Sequence, residues 1–261
     1  MMKKIKAIIW LRLQQYVVSK VTLIQLAIPF VMAYIFDNFI ETGEGETNQM
    51  ILSMCLTMAF LFTTAQPLTT TIAEEKEKNN LKSMQLAGVS EKEYLVASLF
   101  FPLVFTALSM IILPLLLQVP VTNYLLPYTV VGFLTAVAII LIHLALGLYS
   151  QTQAQAQALS FPLLMIIQFF PMFAETNETI ANIVDYSMIG SYTSFFEDPL
   201  RYSLQSSTFY FLLAWIALLL IVNVLLLQGK TDKRKRTFAI LYRLKKLVTS
   251  YERTIKEKGG V

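Results

Sequence analysis

Cysteine and histidine are almost absent from this sequence of 261 residues, which contains one of each, Cys55 and His143. A single cysteine excludes a disulfide within the chain, and one histidine cannot build a metal site. Charged residues make up only 15% of the chain and are nearly missing from its long apolar runs. With 56% hydrophobic residues and a mean hydropathy of +0.58, the composition excludes a soluble globular protein and predicts one that resides in lipid.

Six apolar runs, each long enough to cross a bilayer, are separated by polar segments. A hydrocarbon core about 30 Å thick needs about 20 apolar residues per helix. Helices are expected because hydrocarbon offers no partner for unpaired backbone groups, and the unbroken runs lack the alternation of barrel strands. The sequence thus predicts an all-α membrane protein with six transmembrane helices over residues 20–38, 50–72, 94–117, 126–149, 158–174 and 209–228.

The distribution of positive charge predicts the orientation of these helices. If both termini lie in the cytoplasm, every Lys and Arg except Arg201 falls on the cytoplasmic side. The cytoplasmic loops of membrane proteins are rich in these residues, so the reverse orientation is disfavoured. We therefore expect a multi-pass protein of the plasma membrane with cytoplasmic N- and C-termini.

Three segments outside the spans carry patterns of their own. Residues 2–16 place apolar residues at helical spacing between lysines, which favours a helix in the inner membrane interface over an extension of the first span. The external segment 175–207 is expected to fold back against the membrane as one or two short helices. Residues 1–228 then form one transmembrane domain. The basic tail 229–261 is cytoplasmic and is either an interfacial helix on anionic lipid or a solvated tail.

The cytoplasmic link 73–93 between the second and third spans predicts a short helix, about 10 Å long. Asn80 is a suitable N-cap for this helix, and Gly88 suits the left-handed conformation that commonly ends one. Ser90 and Glu93 have the spacing of a capping box, which would start the third span at the membrane surface.

The same link combines a charged stretch with an apolar motif. Acidic and basic residues occupy 74–78, and residues 81–90 read L-K-S-M-Q-L-A-G-V-S. This combination resembles the cytoplasmic loop after the second span of ABC-2 type permeases, in which a short helix reads roughly L-x-x-L-x-x-x-P/G-V-S. Position 88 is glycine where many members have proline. The likeness extends in outline to the whole chain, including the short first external loop and the helical segment before the last span.

The resemblance implies that this segment is a coupling helix, which docks into a cleft of a cytoplasmic ABC ATPase and transmits its closure to the helix bundle. The ATPase would bind ATP and Mg²⁺, whereas this chain would contain no cofactor. The other implied partners are membrane lipids and a second permease, either a copy of this chain or a paralogue, with no role for nucleic acid. Carried over to this sequence, the ATPase-docking residues are Glu74, Glu75, Leu81, Met84, Leu86, Ala87, Gly88 and Val89.

The near absence of charge from the spans also indicates that energy for transport comes from outside this chain. Secondary transporters keep acidic or basic residues within the membrane to couple ion movement, because residues so costly to bury are retained for function. The polar residues that the spans do contain either line a translocation path or join helices to each other. The residues considered for the path are Gln25, Thr63, Gln66, Thr70, Gln168 and Asn223.

Three functions compete at this point. We expect an export permease for an amphipathic or hydrophobic substrate, such as a peptide, a lipid-linked molecule or a drug. A membrane sensor or immunity protein that binds a ligand without transport is the alternative. An intramembrane hydrolase is disfavoured, because the paired Glu74 and Glu75 lack the additional histidines that such an enzyme needs. Residues 229–231 do not complete a phosphate-binding loop, so this chain is not expected to be an enzyme that hydrolyses ATP.

Overall fold

The computed structural model of this protein describes residues 2–39 and 46–228. This part of the chain forms helices and no strand, which confirms the all-α prediction. The predicted C-terminal tail, 229–261, lies outside the described residues. The α-helices are α1 Met2–Val18, α2 Lys20–Phe39, α3 Glu46–Met58, α4 Gln66–Glu77, α5 Asn80–Leu86, α6 Glu91–Leu116, α7 Leu125–Tyr149, α8 Gln153–Phe169, α9 Glu178–Asp185, α10 Gly190–Glu197 and α11 Ser207–Gln228.

Within the described residues, six helical stretches are long and apolar enough to cross a membrane, as the sequence predicted. They are Lys20–Phe39, Asn48–Glu77, Glu91–Leu116, Val121–Tyr149, Gln153–Ala174 and Ser207–Gln228. The second span continues past its predicted end at residue 72 to Glu77, so residues 74–77 belong to the helix and not to a loop. Each of these four charged residues has a partner within the protein, as described below.

The second span changes its winding in the middle. Between α3 and α4, residues Ala59–Ala65 form a π-helix, in which each turn contains more residues than an α-helical turn. Pro67 follows in the first turn of α4 and has no N–H to donate to the preceding turn, which favours this irregularity. The π-helix is buried, and Phe60 and Leu61 within it are fully enclosed.

The second and fourth spans form the centre of the bundle, whereas the first and sixth are largely exposed around them. α4 and α7 approach closely at Gly147, where an added Cβ would lie 3.1 Å from the Thr69 carbonyl oxygen and 3.3 Å from the Cβ of Ile72. One turn earlier on α7, the carbonyl oxygen of His143 accepts a hydrogen bond of 3.0 Å from the Thr69 hydroxyl. Small residues at membrane helix contacts allow such an approach of two backbones.

Replacing Gly147 with leucine should separate α4 from α7, because the new side chain would collide with the backbone of Thr69. Overpacking of this kind costs about 1–3 kcal/mol, which we expect to observe as a lower midpoint of thermal unfolding in detergent. Gly132→Ala on the same helix is the control, since its Cβ would meet only the flexible end of Met110. An unchanged midpoint for Gly147→Leu would contradict the close contact.

The short helix between the second and third spans forms as predicted, and its termini confirm most of the expected signals. α5 contains seven residues, and Gly88 after it has the left-handed φ of +81°. The Ser90 hydroxyl accepts from the backbone N–H of Glu93, and the Glu93 carboxylate accepts from that of Ser90, which completes the capping box. The predicted N-cap is wrong by one residue. Asn79 occupies this position with a φ of +57°, because the chain must reverse directly after α4.

The opposite end of the bundle contains the predicted insertion before the last span, folded as α9 and α10. Tyr192 of α10 packs its ring 6.2 Å from that of Phe60 in the second span. Phe195 is fully buried and packs edge-to-face against Tyr124, 5.7 Å away. With these aromatic contacts, half of the residues of α10 are buried, so the insertion is an integral part of the bundle.

Candidate functional site

A buried ion pair joins α1 to the last turn of α4. Arg12 and Glu75 are 4% and 2% exposed and meet in a bidentate contact, with Nη1 2.7 Å from Oε1 and Nη2 2.9 Å from Oε2. From α6, the Ser98 hydroxyl accepts a bond of 3.0 Å from Nη2, and the Tyr94 hydroxyl donates to Glu75 Oε2 over 2.6 Å. Three helices therefore meet at this pair, and both charges are hydrogen-bonded by protein groups.

The surroundings of Arg12 favour its charged form. Burial by itself would lower the pKa of the Arg12 guanidinium, but Tyr94 and Glu75 outweigh this effect and raise the pKa above its usual value. Arg12 is therefore a permanent cation in an apolar environment. Removing one partner of such a pair leaves an uncompensated buried charge, which is far more costly than removing both.

The next two residues of α4 bind α7 and α8. Lys76 Nζ donates to the carbonyl oxygens of Gly147 and Leu148, over 3.1 Å and 2.8 Å, at the C-terminus of α7. The Glu77 carboxylate accepts a bond of 2.8 Å from the backbone N–H of Gln153, at the N-terminus of α8. Both contacts match the helix dipole, because cations are favoured at helix C-termini and anions at N-termini. The end of α4 thus holds α1, α6, α7 and α8 together.

The predicted docking residues of α5 divide into two faces. Leu81, Met84 and Val89 are partly buried and pack against the core of the bundle. Leu86 is 77% exposed, and Ala87 and Gly88 after it are exposed as well. The structure therefore groups only Leu86, Ala87 and Gly88 into an outward-facing apolar tip, which we call the α5 tip.

Two further observations concern the acidic docking candidates and the link to α1. Glu74 is partly buried and accepts from Lys78 in an exposed ion pair of 2.6 Å, one turn apart on the chain. Glu75 faces Arg12, so its placement favours a role in joining helices over contact with a docked subunit. Lys4 Nζ donates to the Gly88 carbonyl oxygen over 2.6 Å, which attaches the start of α1 to the α5 tip.

The six path candidates do not converge on one site. The Thr63 hydroxyl donates to the carbonyl oxygen of Gln25 over 3.4 Å, and the Thr70 hydroxyl donates to that of Gln66. Asn223 is buried, and its amide nitrogen donates to a carbonyl oxygen of α7. These bonds link helices or turns of one helix, and the role of these residues in a path stays a prediction.

Gln168, the sixth candidate, lines a cavity of about 440 Å³ at the end of the bundle opposite α5. α3, α7, α8 and α10 supply its walls. Sequence reasoning missed its other polar residues, among them Ser53, Thr57, Thr135 and Tyr192. Each of them is an ordinary polar residue within an apolar run, and no local pattern distinguishes it from a residue that packs helices.

The ion pair was also missed, although one signal for it exists. Arg12 is the first arginine of the chain and stands among lysines in a mostly apolar stretch. Arginine is preferred over lysine for buried bidentate contacts with carboxylates. The partner could not be identified in this way, because Glu75 is one of three glutamates within four residues.

Residues 12–227 match the family described as ABC-2 family transporter protein. This match covers most of the chain, so the chain belongs to the ABC-2 family, whose members are membrane subunits of ABC transporters. Members of the family normally work with ABC ATPase partners and are generally not catalytic themselves. No curated protein matches the sequence.

Arg12→Met or Glu75→Met alone should lower the free energy of unfolding by about 3–5 kcal/mol, because the remaining charge stays buried without its partner. The double variant should recover much of this loss, since no charge is then buried. Unfolding in detergent, followed by circular dichroism, measures the effect. Lys78→Met breaks the exposed pair with Glu74 and serves as a control that should leave unfolding unchanged. A double variant no more stable than the single ones would contradict this view of the pair.

Proposed function

We propose that this chain is the permease subunit of an ATP-driven exporter of amphipathic or hydrophobic molecules. The energy comes from a separate cytoplasmic ABC ATPase that docks on α5. The observation that carries this proposal is the α5 tip, Leu86 to Gly88, which presents an apolar side chain at the end of the hairpin between α4 and α6. Apolar anchors of this kind contribute most of the binding energy when they enter a pocket of a partner.

The attachments of α5 support its role in transmitting movement. α5 is joined directly to α4 and α6, and Lys4 connects its tip to α1. The last turn of α4 is in turn bonded to α1, α6, α7 and α8 through Glu75, Lys76 and Glu77. A displacement of α5 by the ATPase would therefore reach several helices at once. Closely packed helices transmit such displacements because interiors are dense and poorly compressible.

The proposal also defines orientation and assembly. A cytoplasmic ATPase requires that α5 and both termini face the cytoplasm, as the positive-inside rule predicts. We further propose that two permeases, identical or related, assemble side by side with two ATPase subunits. The translocation path then lies between the two bundles, and no covalent chemistry occurs in this chain.

Leu86→Asp should weaken ATPase docking, because it places a charge where the proposed contact is apolar. We expect at least a 10-fold loss of ATPase recovered with the tagged permease, which corresponds to about 1.4 kcal/mol. The measurement is the amount of ATP-hydrolysing subunit that copurifies from native membranes. Leu200→Asp is a matched control, since Leu200 is 76% exposed and lies at the opposite end of the bundle.

Full recovery of the ATPase with Leu86→Asp would contradict docking at the α5 tip. If no ATPase accompanies the unmodified permease, the sensor or immunity alternative is favoured instead. Leu81 and Met84 are poor probes for this purpose, because both pack against the core and their replacement would disturb the fold.

The single cysteine permits a direct test of orientation. In a Cys55→Ser background, Ser83→Cys places a thiol on α5 and Ser203→Cys places one at the opposite end, both at exposed positions. A membrane-impermeant maleimide added to intact cells should label Ser203→Cys and not Ser83→Cys, whereas broken cells should show labelling of both. The reverse pattern in intact cells would overturn the proposed orientation.

A further inference from the structure

The cavity between α3, α7, α8 and α10 contains two buried polar atoms without a hydrogen-bond partner among the described residues. They are Oε1 of Gln168 and Oγ1 of Thr135. Both residues line the cavity, and they are only 4% and 1% exposed. A buried polar group without a partner is costly, and most such groups in native proteins have one. These two atoms therefore mark a position where a bound molecule would supply the missing partner.

Three other hydroxyls of the cavity are already engaged. Thr57 and Tyr192 both donate to the carbonyl oxygen of Ser53, over 2.9 Å and 2.7 Å. Burial raises the pKa of the Tyr192 phenol, so it remains a donor at physiological pH. The Thr193 hydroxyl donates to a backbone carbonyl oxygen one helical turn earlier in the chain. The buried polar atoms of the lining that have no partner in the part of the chain that the structure describes are therefore Gln168 Oε1 and Thr135 Oγ1.

The walls of the cavity define the rest of the ligand. Met50, Met54 and Met172 line it together with Ile167 and Phe196, so most of a bound molecule would contact apolar and adaptable side chains. Met50 and Met172 are exposed and mark the mouth, whereas Ile167 is buried and marks the deep end. The volume of about 440 Å³ lies within the range of sites for small molecules.

The lining offers an anion no cationic partner. None of its described residues is Lys, Arg or His. The open acceptor at Gln168 requires a donor group on the ligand. A molecule with an apolar body and an ammonium or other N–H group at one end satisfies both conditions.

We infer that this cavity binds amphipathic amines, with the N–H group bonded to Gln168 and Thr135 and the apolar body against the methionines. This inference deepens the proposed function. It rests on that function only in taking such an amine to be the transported cargo. The binding itself is independent of the ATPase and is tested without it.

Two fluorescent probes of equal length distinguish the preferred charge. Dansylcadaverine carries a dansyl group and a terminal ammonium, and dansyl-6-aminohexanoic acid carries the same group and a carboxylate. The purified full-length permease, placed in phosphatidylcholine nanodiscs, should bind the ammonium probe at least 10-fold more tightly than the carboxylate probe. Weaker ammonium binding in discs that contain phosphatidylethanolamine would identify a lipid amine as the natural source of the same chemistry, and this also supports the site.

Two variants locate the bound probe. Gln168→Leu and Thr135→Val should each weaken binding of the ammonium probe about 5- to 10-fold, because each removes one polar partner. Thr135→Val keeps the shape of the side chain and removes an unpartnered hydroxyl, so we expect no loss of thermal stability. The matched controls are Thr129→Val on α7 and Gln157→Leu on α8, both at exposed positions outside the cavity.

Three results would overturn the inference. They are equal affinity for the two probes, no binding above that of empty nanodiscs, and variants in the cavity that bind as the controls do. The proposed transport function fails in a different way. If the ammonium probe binds as expected but does not change ATP hydrolysis of the complete complex, the cavity is a binding site and the role of the amine as cargo is wrong.

Discussion

The ion pair between Arg12 and Glu75 determines how the charged end of this bundle is organised. Both groups are enclosed, so neither can leave the other without exposing a charge to an apolar interior. α1 is thereby fixed against α4 and α6, although it contributes none of the six spans. The next two residues, Lys76 and Glu77, fix α7 and α8 against α4 in the same way. Three neighbouring side chains thus define the geometry around the proposed docking helix.

The second span connects the cavity to the charged end of the bundle. Its first half, α3, lines the cavity, and its second half, α4, ends in the charged turn beside α5. The fourth span shares this arrangement, with Thr135 in the cavity and Gly147 against α4. Both spans are largely buried, as expected for helices that connect one end of the bundle to the other.

The sequence predicts those parts of the structure that depend on local chemistry. Long apolar runs locate the spans, and the capping box at Ser90 locates the start of α6, because both are properties of neighbouring residues. The burial of α5 could not be predicted, since Leu81 and Leu86 are both leucines and only the surrounding helices make one inward and the other outward. The contact of Arg12 with Glu75 and the cavity around Gln168 join residues that are distant in the chain. The spacing of apolar residues along the chain does not indicate which distant residues come into contact.

The two halves of the second span, on either side of the π-helix at Ala59–Ala65, are sensitive to chain length. Ser53 and Thr57 face the cavity before this segment, and Glu75 faces Arg12 after it. Inserting or deleting one residue in a helix rotates everything beyond it by about 100°. A one-residue insertion or deletion in the α-helical turns between Thr57 and Glu75 would leave the cavity wall in place and turn Glu75 away from Arg12. The π-helical turn is the exception, because it already holds one residue more than an α-helical turn and can lose that residue without rotating α4.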